Sequence, residues 1–320
     1  ILQGPRSIAD HLHLSTLAEQ SSLVVFDELH KYIHWRDFLK GFYDTYPNQT
    51  RILVTGSAKL DVFSRGGDSL MGRYFPFHFH PLTIAEMCRD IFNEASDLWP
   101  TPKPIDEEMF DALWKFGGYP DPLIKQNNQF LRRWHKLRKQ QLFDDDMRSL
   151  TLIQDVARVE ILAEYLQRHV GSLQSYSQMA SSLRASDKTI REWLSVLRSL
   201  YYCFAIRPWS TNITRSLLKE PKYYLWDWSL CQEEGARAEN FVALHLLKAV
   251  HLWNDLGLGD YGLHFVRDKE KREVDFLVTK NDKPWLLVEV KLSNNSRLSP
   301  SLVYFQKQLK ADYALQVVIN

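Results

Sequence analysis

The stretch that decides the fold is Leu23-Val24-Val25-Phe26-Asp27-Glu28, in which four apolar residues run directly into two carboxylates. An unbroken apolar run of this length is typical of a parallel strand that is buried on both faces. The acids that follow such a strand emerge at the carboxyl edge of the sheet, where open α/β sheets bind their ligands. The stretch therefore predicts a buried strand that presents Asp27 and Glu28 at a binding edge.

A second apolar run, Ile52-Leu53-Val54, closes on small polar residues at 55–57. Between the two runs, large apolar residues recur at the spacing of one helix face: Trp35, Phe38, Leu39, Phe42 and Tyr43. A strand, a helix and a second strand in this order form a right-handed crossover, which makes the two strand ends neighbours. We therefore expect Thr55 or Ser57 to lie beside the two acids.

In a nucleotide-hydrolysing site these groups have defined tasks. Asp27 would hold Mg²⁺ directly or through water, and Glu28 would orient and polarise the attacking water. Thr55 or Ser57 would touch the γ-phosphate of ATP or that water as a sensor residue. This is the Walker B pattern. The same residues also fit the βαβ unit of any α/β protein, so the pattern favours a nucleotide site without deciding it.

Length and composition describe a globular protein of two or three domains. A net charge of +1 neither demands nor excludes nucleic acid, so any basic surface must be local. Three widely spaced cysteines fit a reducing, cytoplasmic compartment rather than a disulfide framework or a zinc site. No apolar run reaches membrane-spanning length, so no membrane partner is expected, and homo-oligomerisation stays open.

The phosphate-binding loop that usually accompanies a Walker B strand requires G-x-x-x-x-G-K-[ST], and no Gly-Lys pair occurs in this sequence. Gly4-Pro5-Arg6 resembles the opening of such a loop only superficially, because the lysine is absent. The chain also does not begin with Met. We therefore expect it to be a fragment that has no phosphate cradle of its own.

A segment at 69–82 alternates aromatic residues with proline and histidine. Phe75, Phe77 and Phe79 alternate with Pro76, His78 and His80, which predicts a strand. Arg73 precedes it. Beside a nucleotide site this arginine would stabilise charge in the transition state, and the alternative is an ion pair with a nearby acid. The two histidines share one strand face, and the sequence shows no third metal ligand beside them.

The stretches 23–31, 52–57 and 69–82 resemble one family of AAA-type P-loop ATPases that carry a C-terminal nuclease-like domain. The resemblance implies that Asp27 and Glu28 are the Walker B acids, with ATP and Mg²⁺ as cofactors. It also implies that Ser57 lies at the sensor position and that Arg73 belongs to a G-R-Y motif.

On this resemblance residues 1–82 are an incomplete P-loop core, whose phosphate-binding loop and first strand lie upstream. The absent first strand would leave a gap between the strands at 52–57 and 74–80. Residues 83–150 then form a helical lid, and Gly-Gly-Tyr-Pro at 117–120 predicts a break between two of its helices. A basic run at 132–139 fits either a phosphate-gripping helix or an ordinary solvated face.

Residues 151–212 carry a helix-turn-helix pattern, which the resemblance implies is part of a winged-helix module. Two apolar faces define its helices: Tyr176, Met179, Ala180 and Leu183, then Ile190, Leu194, Leu197 and Tyr201. Ser186 or Asp187 can cap the second helix. The opposite face offers three basic side chains to DNA: Lys188, Arg191 and Arg198. Many winged helices bind only protein, so this alternative stays open.

The last third, residues 213–320, concentrates its charged groups in Asp275 and in Glu289-Val290-Lys291. On one strand Glu289 and Lys291 point to the same face, and Asp275 lies on the adjacent antiparallel strand. Strict alternation places Glu273, Asp275 and Leu277 on one face, and Val274, Phe276 and Val278 on the other. We therefore expect three charged groups to converge on one patch of a small sheet.

These groups have the chemistry of a metal-dependent nuclease. Asp275 and Glu289 would bind a hard divalent cation, and Lys291 would orient water or stabilise developing charge. Glu239, on the preceding helix, would add a metal contact. The order resembles the PD-(D/E)xK nuclease fold, which implies metal-dependent cleavage of DNA. The alternative is an ordinary hairpin that carries alternating charges on a wet face.

The sequence therefore predicts an α/β protein in which an incomplete P-loop sheet precedes a lid, a winged helix and a restriction-endonuclease-like domain. The function it predicts is ATP hydrolysis coupled to DNA binding or to metal-dependent DNA cleavage. The rival is a non-catalytic, nucleotide-regulated switch or scaffold whose C-terminal domain only binds DNA or a protein partner.

Overall fold

The computed structural model describes residues 22–32, 34–46, 50–57, 70, 72–88, 103–150, 153, 155–210, 219–293 and 297–319. Gly4, Pro5 and Arg6 lie outside these residues. The described chain is mixed α/β, with a parallel two-stranded sheet and a mixed six-stranded sheet. The strands of the larger sheet lie side by side in the order Lys222–Leu225, Cys203–Pro208, Tyr261–Arg267, Glu273–Lys280, Lys283–Lys291 and Tyr313–Val318.

The N-terminal part of the chain contains two strands and a series of helices. They are β1 (Ser22–Phe26), α1 (Trp35–Thr45), β2 (Thr50–Val54), α2 (Ile84–Met87), α3 (Glu107–Phe116), α4 (Pro120–Lys125), α5 (Asn128–Gln140), a π-helix (Gln141–Asp146) and α6 (Met147–Leu150). The middle and C-terminal parts follow with α7 (Val156–Arg168), α8 (Tyr176–Leu183), α9 (Asp187–Ser199), β3 (Cys203–Pro208), β4 (Lys222–Leu225), α10 (Glu234–Asp255), β5 (Tyr261–Arg267), β6 (Glu273–Lys280), β7 (Lys283–Lys291), α11 (Pro300–Leu309) and β8 (Tyr313–Val318). Short 3₁₀ helices occupy Leu29–Lys31 and Trp228–Leu230.

The predicted crossover is present at the N-terminal end. Strands β1 and β2 pair in parallel, from Ser22 opposite Thr50 to Phe26 opposite Val54, with α1 between them in the chain. Phe26 meets the ring of Phe42 edge-on at a centroid distance of 5.3 Å, and Phe42 is fully buried. The apolar face of α1 therefore seals one side of the two strands, as its spacing predicted.

The prediction that β1 is buried on both faces is wrong for the described residues. Val24 and Phe26 are buried, whereas Leu23 and Val25 are 65% and 51% exposed. Leu53 on β2 is also exposed, at 49%. The reason is that α1 covers one side of the two strands, and the described residues leave much of the other side open.

The strand predicted at 74–80 is also absent. The segment is extended but pairs with no strand in the described chain, and Phe75, Phe77 and Phe79 point into solvent. Its histidines instead bind α10, through His80 Nε2 and His251 Nδ1 at 2.9 Å and through His78 and Asp255 at 3.0 Å. Side-chain contacts to a helix hold the segment, so alternation here does not report a sheet.

The helix-turn-helix prediction is confirmed by α8 and α9. Ser186 caps α9 by accepting a hydrogen bond from the backbone N–H of Thr189 at 3.1 Å. After α9, β3 pairs antiparallel with β4, and Leu173 forms a bridge to Lys222. Strand β3 also pairs in parallel with β5, so the predicted boundary between residues 212 and 213 falls inside one continuous sheet.

Strict alternation along β6 is wrong, because a β-bulge interrupts the strand. Opposite β5, His264 pairs with Leu277 and Val266 pairs with Val274, so β6 carries an extra residue between these pairs. Val274 and Leu277 consequently pack in one cluster with α11. Phe276 instead packs against Tyr224, with a distance of 5.8 Å between the ring centroids. Bulges of this kind re-aim side chains, and this one lies at Asp275.

Gly118 allows the segment before α2 to pack against the rest of the chain. A Cβ atom there would lie 2.7 Å from Trp228, 2.9 Å from Pro81 and closer still to the Leu82 carbonyl oxygen. The Leu82 N–H also donates to the Gly118 carbonyl at 2.8 Å, so the two backbones cannot separate freely.

We expect Gly118→Ala to lower the free energy of unfolding by roughly 1–3 kcal/mol, because the methyl group overpacks a backbone contact. Gly41→Ala is the matched control, since Gly41 lies in α1 with no atom within 4 Å of its added Cβ. It should be neutral or stabilising because alanine favours a helix. Urea unfolding of both variants measures the difference, and equal stabilities would contradict the packing argument.

Candidate functional sites

The two acids after β1 meet the end of β2 as predicted. The Thr55 N–H donates to the Phe26 carbonyl at 2.9 Å, and the Thr55 hydroxyl donates to Asp27 Oδ1. Ser57 binds both oxygens of Glu28, with its N–H 2.9 Å from Oε1 and its hydroxyl 3.1 Å from Oε2. Each acid is thus paired with one small polar residue of the neighbouring strand end.

Glu28 adopts a left-handed backbone conformation, with φ 52° and ψ 32°. This conformation is uncommon for a residue with a side chain, and it occurs often at functional sites. Lys31 Nζ lies 2.9 Å from Glu28 Oε2, and this hydrogen bond raises the pKa of Lys31. Sequence reasoning assigned no role to Lys31, although its i, i+3 spacing from Glu28 could have signalled the contact.

Arg73 lies elsewhere than at this site. Its Nε donates to Asp44 Oδ1 of α1 at 3.2 Å, and both side chains are partly exposed. Of the two roles left open for this arginine, the structure shows the ion pair with a nearby acid. A role in transition-state stabilisation stays a prediction.

A cavity of about 500 Å³ opens beside Ser57. Its wall includes Arg138 of α5, Arg168 of α7 and Trp226 at the end of β4. The guanidinium of Arg138 also lies over the ring of Tyr119 at 5.3 Å. The end of β2 therefore faces a space that combines cationic and aromatic side chains.

The second site lies at the bulge of β6. Asp275 Oδ2 accepts a hydrogen bond from the Val290 N–H of β7 at 2.8 Å, and Lys291 Nζ donates to Glu289 Oε1 at 2.8 Å. Glu289 is 5% exposed, and its buried Oε2 has no hydrogen-bond partner among the described residues. The structure therefore brings together Asp275, Glu289 and Lys291, and the burial of Glu289 does not fit the wet-face alternative.

Burial and neighbouring carboxylates shape the charges of this site. Burial, with the negative charges of Glu239 and Glu289 nearby, raises the pKa of Asp275 to about 7. Burial opposes the charged form of Lys291, yet the hydrogen bond to Glu289 and the attraction of the acids raise its pKa. The site thus retains its lysine cation, and Asp275 keeps its proton to a higher pH than an ordinary aspartate does.

A second lysine, which sequence reasoning missed, completes the cluster. The Nζ of Lys222 on β4 lies 3.2 Å from Glu239 Oε1 and 2.7 Å from Glu273 Oε1. Lys222 is 3% exposed, and although burial opposes its charge, these carboxylates raise its pKa. Tyr224 donates to Glu239 Oε1 at 2.6 Å, and Arg267 donates to Glu273 Oε2 at 2.6 Å. No local motif marked Lys222, because its partners lie on other elements.

The predicted metal ligands Glu239, Asp275 and Glu289 do not form a metal cage in this arrangement. Across the described ranges, no three His, Cys, Asp or Glu side chains are grouped so that they could hold a metal ion. Their carboxylate oxygens suit a hard cation chemically. However, Oε1 of Glu239 accepts from Lys222 and Tyr224, and Oε1 of Glu289 accepts from Lys291, which leaves Glu289 Oε2 as the buried oxygen without a partner among the described residues. The metal role of these residues stays a prediction that the present side-chain contacts do not fit.

Three family models match consecutive parts of the chain. Residues 4–88 match the model described as AAA domain. The N-terminal part of the chain is therefore similar to an AAA domain. Residues 107–236 match a domain of unknown function (DUF8612), and residues 234–320 match a domain of unknown function (DUF4143). The first match supports the ATPase-like part of the resemblance. Strand β4 falls within the match over residues 107–236 and outside the C-terminal match.

Two curated relatives are an uncharacterized protein of Mycobacterium bovis and an uncharacterized protein of Mycobacterium tuberculosis. Each is 24% identical over 301 residues, which cover 89% of this chain and 62% of the relative. No solved structure matches the chain. Among the helices that the structure describes, none has the length and apolar character needed to cross a membrane.

The pKa of Asp275 makes the stability of the protein depend on pH. The folded carboxyl keeps its proton up to about pH 7, whereas the ordinary value is 3.8. The stability that the folded protein gains by keeping this carboxyl protonated is therefore fully present below the ordinary pKa of 3.8. It is lost as the pH rises through the folded pKa of about 7.

Asp275→Asn stays neutral and should remove that loss. At about pH 9 we expect the variant to unfold with a free energy higher than that of the parent by on the order of 2 kcal/mol. Thermal unfolding at about pH 5 and about pH 9 measures the difference. Asp282→Asn in the exposed β6–β7 turn is the control and should keep the parent's pH dependence. An identical pH dependence for Asp275→Asn would contradict the charge assignment.

Proposed function

We propose that residues 22–57 provide the hydrolytic edge of an ATPase site. The observation that carries the proposal is the pairing of Asp27 with Thr55 and of Glu28 with Ser57 at neighbouring strand ends. The AAA domain match over residues 4–88 supports it. The lining of the adjoining cavity, which includes Ser57, carries four Lys and Arg side chains against three carboxylates, and this excess of positive charge suits a nucleotide.

Each side chain has a task in this proposal. The Asp27 carboxylate is exposed and Thr55 fixes one of its oxygens, so it fits a ligand of Mg²⁺. A bound Mg²⁺ supplies positive charge to the phosphate oxygens. Glu28 accepts a proton or a hydrogen bond from the attacking water, and Ser57 holds its carboxylate in position. Lys31 competes for the same carboxylate, so hydrolysis requires that Glu28 be released from this ion pair.

Asp27→Ala should abolish ATP hydrolysis by the natural gene product, lowering kcat by at least about 100-fold, because the metal-binding carboxylate is lost. Asp37→Ala on the exposed face of α1 is the matched control and should leave the rate unchanged. Phosphate release under saturating ATP and Mg²⁺ measures both variants. Undiminished hydrolysis by Asp27→Ala would refute the assignment.

We further propose that ATP hydrolysis is coupled to DNA binding through the helix-turn-helix segment. Arg184, Lys188 and Arg191 are exposed at the α8–α9 turn and along α9. Arg191 is stacked on the ring of Tyr176 at 3.7 Å, which fixes its side chain. Lys188 and Arg191 lie three residues apart on the capped helix α9, and Arg184 lies in the turn before it. Such cations match the phosphates of a duplex.

The C-terminal cluster supports binding without cleavage better than it supports catalysis. Its convergent Asp275, Glu289 and Lys291 favour the cleavage alternative. The lysine partners of Glu239, Glu273 and Glu289 favour the non-catalytic one. The two alternatives differ in whether DNA is cut when a divalent ion is supplied.

Lys188→Glu should weaken the binding of a short duplex roughly tenfold and lower the salt dependence by about one ion, because one phosphate contact becomes repulsive. Lys283→Glu, on the exposed start of β7, is the matched control. Fluorescence anisotropy measures the affinity. Equal affinities of the two variants would exclude this helix as the DNA-binding element.

Cleavage is tested separately by incubating supercoiled DNA with the protein and Mn²⁺. Nicking that Lys291→Ala abolishes would establish cleavage at the C-terminal cluster.

A further inference from the structure

We propose that the ammonium group of Lys222 is the resident cation of the C-terminal carboxylate cluster and that it excludes divalent metal ions from this cluster. Here the cluster means Glu239, Glu273, Asp275 and Glu289. The inference concerns the C-terminal sheet only, so it stands or falls independently of ATP hydrolysis at Asp27.

The first support is the position of the ammonium. It touches carboxylates from two different elements, Glu239 of α10 at 3.2 Å and Glu273 of β6 at 2.7 Å. The side chain is 4% exposed, so water does little to screen its charge. Asp275 also attracts the ammonium. A divalent ion that bound Glu239 together with Asp275 would therefore lie beside an unscreened positive charge.

The second support is that Lys222 cannot move aside at low cost. Its backbone lies in β4, opposite Ile206 of β3, and it also bridges to Leu173. Its Nζ lies 5.4 Å from the centre of the Phe265 ring. A buried ammonium that leaves its acids must find another partner or lose its proton. The carboxylates that raise its pKa oppose the second course.

The third support is that Glu239 is fixed against the middle segment of the chain. A Cβ atom at Gly171 would lie 2.9 Å from Glu239 Oε1, so the glycine allows this carboxylate to approach the backbone closely. Gly171 also has φ +71°, a conformation that favours glycine. Tyr224 donates to the same oxygen at 2.6 Å. Oε1 of Glu239 is therefore held as the partner of Lys222 and Tyr224, and a metal ion at this oxygen would have to displace both.

The charges of the cluster are nearly balanced without a metal ion. Four acids, Glu239, Glu273, Asp275 and Glu289, face three cations, Lys222, Arg267 and Lys291. A divalent ion would add positive charge to a network that already contains three basic groups. Removal of Lys222 would create the deficit that such an ion could fill.

The experiment compares Mn²⁺ binding by variants of the whole protein, followed by electron paramagnetic resonance. Lys222→Met alone leaves Glu239 with Tyr224 and Glu273 with Arg267 but removes the buried ammonium from both, so this variant is prone to unfold. The decisive variant is therefore Lys222→Met with Glu273→Gln, which removes one charge of each sign. Glu273→Gln alone is its matched control, because it keeps Lys222. Circular dichroism verifies that each variant is folded.

We expect the double variant to bind Mn²⁺ at least about tenfold more tightly than the parent or Glu273→Gln, since a neighbouring positive charge is gone. Adding Asp275→Asn should abolish this gain, which assigns the ion to the cluster and separates it from any site at Asp27. Asp275-dependent binding of Mn²⁺ that is equally tight in the parent would overturn the inference. So would a folded double variant that gains no Mn²⁺ site.

Discussion

The structure depends on the packing of one long helix, α10, which contacts α2, α3 and the strands β4, β5, β6 and β7. The amide of Asn240 is fully buried and binds both the N–H and the carbonyl of Leu225, at 2.7 and 2.8 Å. These hydrogen bonds fix β4 against the helix. Further along, His245 accepts a hydrogen bond from the Ile84 N–H at 3.1 Å, and Lys248 binds the Pro81 carbonyl at 3.0 Å. Because one helix makes all of these contacts, the segment after the N-terminal sheet and the carboxylate cluster share a rigid support.

The two acidic sites differ in what balances their charge. Asp27 is exposed, and the partners of the acidic pair include two hydroxyl groups, the Ser57 N–H and one exposed lysine. Water can replace these partners at little cost, which suits a site that must exchange ligands. At the C-terminal cluster, Lys222 and Glu289 are buried, so each charge requires a fixed partner. The ion pairs of such a site fix the positions of its side chains, and its resident cations oppose the binding of a further cation.

Side-chain alternation was a poor guide to local structure in two places, for two different reasons. At 74–80 the alternation was real, but α10 rather than a neighbouring strand receives the histidines. Along β6 the strand was real, but its bulge reverses the face of Leu277 relative to Val274. Periodicity indicates which side chains lie on the same face of a segment. It contains no information on which element packs against that face or where a β-bulge shifts the register.

The sequence by itself determined those features that follow from short-range geometry. One short crossover has to bring the ends of β1 and β2 together, so Thr55 and Ser57 could be placed beside Asp27 and Glu28. Period-two geometry likewise placed Glu289 and Lys291 on one face. Only the tertiary structure decided that Lys222 would enter the carboxylate cluster. Likewise, only the tertiary structure decided that α10 would bind His78 and His80, which are distant from it in the chain. These contacts arise because buried charges and imidazoles must find partners wherever the folded core places them, and no local pattern records that choice.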